Sequence, residues 1–446
     1  MSISINKLSV EAYSSTNDQV LGISHGSPRL SWRFEGSAKN WKQQSYVVSI
    51  SGPKRETKSF SITSAESLLV PWPAEPLEPR ESVTVQVKVK GSDGQDIESP
   101  KLQVERALPP GNESWQAKVI SSDYSIEQGG PFKVRKLFNL DASSLRAPAR
   151  LYATAVGLYE VEINGQKVGD QLFTPGWQAY KYRQHYQTYD ISSLLREGQN
   201  EISSWVGEGW LGTLTWMRKR SYGLDMGLMA QLEIDGKVVL ATDESWSWSL
   251  GQITSSGLYN GEAWDLTSNT EDWKPVRVLS SLPTGELVPP EAPPVRSIEE
   301  IDGIELITTP SGKTIIDFGQ NIAGWVRIAK LPSMKGTITL QTAEVLEREE
   351  LGSRPLRSAI NKDTITLDEK SAGQSWAPKF TSHGFRYCLV EGWSNVKASD
   401  LSAIVIHSDM EPRGDFSCSH SLVSKLHKNV VWSMRGRSFV QDGKPF

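Results

Sequence analysis

Alternating apolar and polar positions run through most of this chain. Residues 82–90 (SVTVQVKVK) are the clearest case. Val83, Val85, Val87 and Val89 share one face and polar residues take the other, which is the period of a half-buried strand. Residues 44–50 (QSYVVSI) read the same way, and 91–94 (GSDG) supply turn chemistry. With Leu30, Ser31 and Trp32 they predict a small Ig- or fibronectin-like sandwich over residues 1–106, followed by a linker at Leu108-Pro109-Pro110-Gly111. Strand patterns return at 149–154, 159–163, 201–206 and 229–234. Asn164-Gly165 and Asp235-Gly236 are tight-turn signals between strand pairs. These predict a jelly-roll-like sandwich over 107–286, with a capped helical turn at 190–195. Residues 287–296 (LVPPEAPPVR) hold four prolines in ten positions and read as a second linker. Strands at 314–318, 325–328, 337–341, 364–367 and 387–391 predict a third β region over 297–411.

The period changes once. Leu422, Leu426, Val430 and Met434 recur every fourth residue with Val423 and Val431 beside them, the apolar stripe of a helix that Ser419 or Ser421 would cap. Residues 437–446 (RSFVQDGKPF) are polar and aperiodic. A lone amphipathic helix needs a surface to bury its stripe. Either it packs on the third sandwich, or it belongs to a helical domain absent from this chain. The expected fold class is mainly β: tandem sandwiches ending in one helix.

Composition narrows the picture. A length of 446 residues suits three domains at roughly 150 residues each. The 48 Lys+Arg against 52 Asp+Glu leave a net charge of −4, which argues against a nucleic-acid partner or a polybasic membrane surface. No apolar run approaches the roughly 20 residues of a membrane helix. Residues 1–18 lack a basic start with an apolar centre, so a cytoplasmic location is expected. The two cysteines, Cys388 and Cys418, exclude a disulfide scaffold and a Cys-rich zinc site. The 16 Trp admit two readings: anchors of large sandwich cores, or indole platforms for the CH faces of sugars. Composition does not separate them.

Local motifs give no complete catalytic constellation. There is no G-x-S-x-G elbow, H-E-x-x-H pair, phosphate loop or dinucleotide fingerprint. His25, His185, His383, His407, His420 and His427 show no zinc-ligand spacing with a third ligand nearby and read as surface or packing residues. In Val206-Gly207-Glu208-Gly209-Trp210, two glycines flank a carboxylate ahead of an indole. That suits either a sugar-contacting loop rim or a turn over a buried Trp. Tyr259-Asn260-Gly261-Glu262-Ala263-Trp264-Asp265 has the same character. Glu208, Glu262 and Asp265 are oxygen donors of the kind calcium takes, without a regular loop spacing behind them. Arg218-Lys219-Arg220 reads as a solvated loop. Asn112-Glu113-Ser114 has meaning as a glycosylation acceptor only in a secreted protein.

Several long motifs resemble the α-L-rhamnosidases, inverting glycoside hydrolases. Residues 149–177 (ARLYATAVGLYEVEINGQKVGDQLFTPGW) are similar to that family's N-terminal sugar-module domain. The similarity continues through Tyr189-Asp190-Ile191, Gly207-Glu208-Gly209-Trp210 and Tyr259 to Asp265. Residues 316–326 (IDFGQNIAGWV), with 343–346 (AEVL) and 380–387 (FTSHGFRY), resemble its concanavalin-like sandwich. Residues 407–411 (HSDME) and 426–436 (LHKNVVWSMRG) resemble the lead into the first helix of its (α/α)6 catalytic barrel. The resemblance implies hydrolysis of terminal α-L-rhamnose from glycosides by two barrel acids, one protonating the leaving oxygen and one activating water. The acidic segment that follows this helix in the family has no counterpart here, so no catalytic residue carries over. The resemblance therefore implies a chain truncated before its catalytic barrel (residues 412–446 being its start) and inactive alone. It also implies a rhamnose-binding alternative, with calcium as an option and Asn164, Glu208, Trp210, Glu262 and Trp264 as the candidate site. A structural remnant is the third reading.

Overall fold

The computed structural model describes residues 3–13, 18–109, 111, 113–123, 130–180, 182–211, 225–268, 272–280, 285–412 and 414–437. Asn112, Arg218 to Arg220 and residues 438–446 lie outside the described residues.

The first unit is a sandwich. Its larger sheet runs in the order Gln19–Ile23, Leu102–Arg106, Ser82–Gly91, Gln43–Gly52, Arg55–Ile62, with Asp96–Glu98 also on Ser82–Gly91. The facing pair is Ile3–Val10 against Leu30–Gly36. The four alternating valines of Ser82–Gly91 are all buried, so the two-residue period places one face in a core with Trp32 and Tyr46, whose rings meet edge to face at 4.8 Å.

The second unit packs two six-stranded sheets. One runs Gln166–Lys167, Leu158–Ile163, Gly198–Gly207, Phe132–Leu140, Ser247–Leu250, Lys274–Pro275. The other is built around Ala149–Val156 and Gly227–Ile234. Every residue of Ala149–Val156 and Gly227–Ile234 is buried, because one face meets this unit's core and the other meets the layer beneath it. The turn expected after Asp190 forms as a 3-10 helix, Ser192–Leu194, with the Asp190 carboxylate accepting from the Ser192 N–H at 3.0 Å and its hydroxyl at 2.7 Å.

The third unit is a nine-stranded sheet built on one long strand, Thr314–Ile328. A register jump between Asp317 and Ile322 bends it. Its first half pairs with Glu305–Thr308 and its second with Leu401–Ser408. Gly324 is required there: a Cβ would lie 1.8 Å from the Ile404 carbonyl oxygen. The sheet also takes in Ile253–Gly257 and Gly261–Asp265, the latter parallel to Lys362–Leu367. This hairpin falls inside the stretch that the sequence assigns to the jelly roll. Alternation marks a strand but not the sheet that adopts it.

Neither expected linker is a free tether. Leu108 is buried among Trp115, Tyr152 and Tyr186, and its carbonyl accepts from the Tyr186 hydroxyl at 3.1 Å. In the proline-rich stretch, Glu286–Val288 forms a parallel pair with Arg183–His185, and Leu287 is fully buried. Salt bridges complete the joint between the first two units. Arg150 grips Glu105 through two 2.8 Å bonds, and Arg80 grips Glu233 at 2.7 and 2.8 Å.

The terminal helix is Ser421–Arg437. Its stripe does not dock: Leu422, Leu426, Val430 and Met434 are exposed. Trp432 and Arg435 make the contact instead. Trp432 packs on the third unit's core, and Arg435 lies over its ring at 3.9 Å. Arg435 also donates to His407 Nε2 at 3.1 Å and to Glu299 at 2.6 Å. His407 Nδ1 lies 2.7 Å from the Ser408 carbonyl. A ring that accepts at Nε2 and donates at Nδ1 is neutral.

Candidate functional site

Four of the five candidate residues lie around one seam, where the second unit meets the third. Strand Gly198–Gly207 delivers the Glu208 loop to this seam. Gly207 faces Phe380 of the third unit so closely that a Cβ would sit 2.6 Å from its ring. Trp210 is buried there. Its ring centroid is 6.4 Å from Phe173, which in turn lies 5.9 Å from Trp325. Trp264 is buried between Trp205 and Trp376, each at 6.2 Å.

Glu262 is the polar centre of the seam. It is 1% exposed, and its carboxylate accepts four hydrogen bonds: from Ser256 Oγ at 3.0 Å, the Phe380 N–H at 2.7 Å, Trp264 Nε1 at 2.9 Å and the Lys379 N–H at 2.9 Å. Burial pushes this carboxyl above its usual range, and nearby Asp363 adds to the effect, while the donors oppose it. Glu262's own N–H donates to Asp363 at 2.8 Å. Asp363 is fully buried, with its second oxygen 3.4 Å from His383 Nε2. Glu160, from the second unit, takes Lys167 at 2.8 Å and also binds Lys379 of the third unit. Burial works against its charge, but the two ammonium groups hold its carboxyl below the usual range.

This geometry revises the expected sugar platform. Trp210 and Trp264 are seam packing with no open ring face, and Glu262 is enclosed by donors. Four N–H and O–H groups point positive charge at its oxygens, where a calcium ion would otherwise sit. Asp265 caps its own turn, accepting from Thr267 N at 3.0 Å and Oγ1 at 2.7 Å. Glu208 is half-buried at the rim. Asn164 is elsewhere. Leu158 pairs with Gly207 and Ile163 with Ile202, so Asn164 lies at the opposite end of that six-residue strand, roughly 20 Å away at 3.3 Å per residue. It holds a turn at φ 51°, donating to Asn200 at 2.9 Å and accepting from the Glu201 N–H at 3.0 Å.

Packing accounts for most of the described Trp. Among the described residues ten Trp are buried and none is exposed. The sequence reading missed the Glu160–Lys379 ion pair and the Asp363–His383 contact. His383 lies in the quoted FTSHGFRY motif, but a partner 20 positions earlier on another strand leaves no local pattern.

Fold and seam together define a tandem β-sandwich protein whose modules are joined by packed and ion-paired interfaces. Comparison with known proteins makes this particular. A family model described as an Ig-like N-terminal domain of the Rha78A type matches residues 5–109. The alpha-L-rhamnosidase N-terminal domain matches 146–299, and the bacterial alpha-L-rhamnosidase concanavalin-like domain matches 307–407. An alpha-L-rhamnosidase of Formosa agariphila is 32% identical over 94% of this chain and 49% of its own length. One from Streptomyces avermitilis is 34% identical over 65% of this chain and 30% of its own. The crystal structure of the Aspergillus terreus enzyme superposes with a TM-score of 0.90 at 40% identity, covering 98% of this chain and 53% of that one. The chain belongs to the α-L-rhamnosidase family, and it spans about half the length of the relatives that it matches end to end.

Proposed function

We propose that this polypeptide serves the hydrolysis of terminal α-L-rhamnose from glycosides as the β-sandwich scaffold of the reaction, and that residues 1–446 by themselves do not catalyse it. The observation supporting this reading is the state of the buried acids. Glycoside hydrolysis needs two carboxyl groups facing one sugar, roughly 5–9.5 Å apart. Among the described residues the buried acids are Glu81, Glu105, Glu233, Glu262, Asp317 and Asp363, and each is engaged by the fold. Arg55 holds Glu81, Arg150 holds Glu105 and Arg80 holds Glu233. Arg386 holds Asp317 at 2.8 and 2.7 Å, Glu262 has its four donors, and Asp363 takes the Glu262 N–H. Burial works against the Asp317 charge, but the Arg386 guanidinium and the Gly319 N–H hold its carboxyl below the usual range. Proton transfer by a positioned group contributes about 10²–10⁴-fold.

The purified 446-residue chain, incubated with an aryl α-L-rhamnoside, is expected to release no more phenol than the buffer blank. The alpha-L-rhamnosidase of Formosa agariphila at its full length, assayed in parallel, is the positive control. Release by the 446-residue chain alone overturns the reading.

A further inference from the structure

Two Asn-Gly pairs occur in the chain, Asn164-Gly165 and Asn260-Gly261. The fold holds them in opposite ways. The Asn164 amide is gripped at both of its polar atoms. Its nitrogen donates to the Leu194 carbonyl and to Asn200 Oδ1, each at 2.9 Å, and its oxygen accepts from the Glu201 N–H at 3.0 Å. The Asn164 backbone N–H donates to the Glu201 carbonyl at 2.9 Å. Asn260 lies at the tip of the hairpin formed by Ile253–Gly257 and Gly261–Asp265, and it is exposed. Its side-chain amide makes no hydrogen bond among the described residues.

This contrast matters because an Asn side chain and the backbone nitrogen that follows it are a reactive pair, which makes asparagine a thermolabile residue. After losing its proton to hydroxide, the Gly261 nitrogen can attack Asn260 Cγ. The N–Cγ bond forms, the Cγ–Nδ2 bond breaks, and Nδ2 leaves as ammonia with a proton from water, which regenerates the hydroxide. The succinimide then takes up one water and opens at either carbonyl, giving aspartate or isoaspartate. Solvent supplies every co-reactant. Glycine favours the attack, since no Cβ screens its nitrogen. The fold also demands glycine here: Gly261 has φ 99°, and a Cβ would lie 2.1 Å from the Lys362 carbonyl oxygen. Closing the ring turns the Asn260–Gly261 peptide. The bond from the Lys362 N–H to the Asn260 carbonyl, 3.0 Å long, opposes that turn, and Lys362 is itself exposed. Local opening at such a tip costs far less than global unfolding.

We infer that Asn260 is a self-modification site. It converts to aspartate and isoaspartate in the folded chain while Asn164 is preserved, and the isoaspartyl form loosens the seam between the second and third units. Isoaspartate adds a methylene to the main chain between residues 260 and 261. Gly261 has no room for it against Lys362. The next residue is Glu262, whose N–H is bound to Asp363 and whose carboxylate centres the seam.

The test ages the purified 446-residue chain at mildly alkaline pH, folded in buffer and unfolded in urea, and maps the amide-to-acid change at each Asn by peptide mass spectrometry. In the folded chain Asn260 is expected to convert at least about tenfold faster than Asn164, a barrier difference of about 1.4 kcal/mol. In urea, where only the shared Asn-Gly sequence acts, the two should convert alike. Equal rates in the folded chain overturn the inference. So does an Asn260 that stays intact in the folded chain while it converts in urea. The isoaspartyl fraction, separated from the aged sample, should melt below the fresh chain. Asn260→Asp carries the same new charge on a normal backbone and should melt with the parent. An isoaspartyl fraction that melts with the parent, or an Asn260→Asp variant that melts as early as that fraction, refutes the claim on the seam.

Discussion

Replacing Arg150 by Met tests whether the first two units are joined by their buried ion pair. Arg150 and Glu105 are 8% and 7% exposed, and their two parallel bonds are both 2.8 Å. Arg150 also lies 3.2 Å from Asp190. Removing the guanidinium leaves the Glu105 carboxylate buried without its counter-charge. Losing one member of a buried pair typically costs about 3–5 kcal/mol. At 2 °C or more per kcal/mol for units of this size, the melting temperature should fall by at least about 6 °C. Replacing both partners, Arg150→Met with Glu105→Met, removes the stranded charge and should restore most of the loss, since a well-packed apolar pair is often equivalent to a buried ionic one. Differential scanning calorimetry reads both variants. The single variant should also split one transition into two as the first unit uncouples. A single variant within about 1 kcal/mol of the parent, or a double variant worse than the single, refutes the reasoning.

Two further outcomes follow from the other contacts. Gly207→Ala places a Cβ 2.6 Å from the Phe380 ring and should destabilise by about 1–3 kcal/mol through overpacking; Phe380→Leu in the same chain should recover part of it, as read by urea denaturation. His407 is held neutral: burial, then the Arg435 charge, depress its pKa below the usual value, against the Ser408 bond and the Asp409 and Glu299 carboxylates. A histidine with a lowered folded pKa contributes stability that is present at neutral pH and is lost as pH falls from about 6.5 towards the folded value. Trp432 emission should therefore report loosening of the helix over that window, and His407→Gln should flatten the response. An emission profile unchanged from pH 7.5 to 5, or an unaltered one in the variant, refutes it.

What the sequence revealed depended on the range of the pattern. Val83 to Val89 announced a half-buried strand, and Leu422 to Met434 a helix, because a period of two or four is written within ten or so residues. The 3-10 turn after Asp190 was legible for the same reason. Partners were not. Residues 259–265 read as a loop rim or a turn over a buried Trp, but Gly261–Asp265 is a strand whose sheet is chosen by Lys362–Leu367, some hundred residues later. The candidate site suffered most from this. A Glu beside two glycines and a Trp has one spelling for an open rim and for a packed turn, and only the Phe380 ring over Gly207 decides between them. Asn164 was grouped with the others by resemblance of motif, although strand Leu158–Ile163 carries it to the opposite end of the sheet.

The helix shows how the two kinds of information combine. Its stripe predicts burial, yet the residues that anchor it lie outside the stripe. The apolar face therefore stays exposed because of geometry, not because of weak hydrophobicity. Arg435 is fixed by His407 and Glu299, and Trp432 by the third unit's core, so the helix cannot roll to bury Leu422 and Leu426 without breaking both. The segment before it is fixed as well. Glu411 meets Lys7 at 3.1 Å and Arg33 at 3.0 Å, both in the first unit, while Asp409 meets Arg296. The chain thus returns to its first sandwich just before the helix begins. The helix itself is held by the third unit, through Trp432 and Arg435, and the ion pairs at Asp409 and Glu411 fix only the segment that leads towards it.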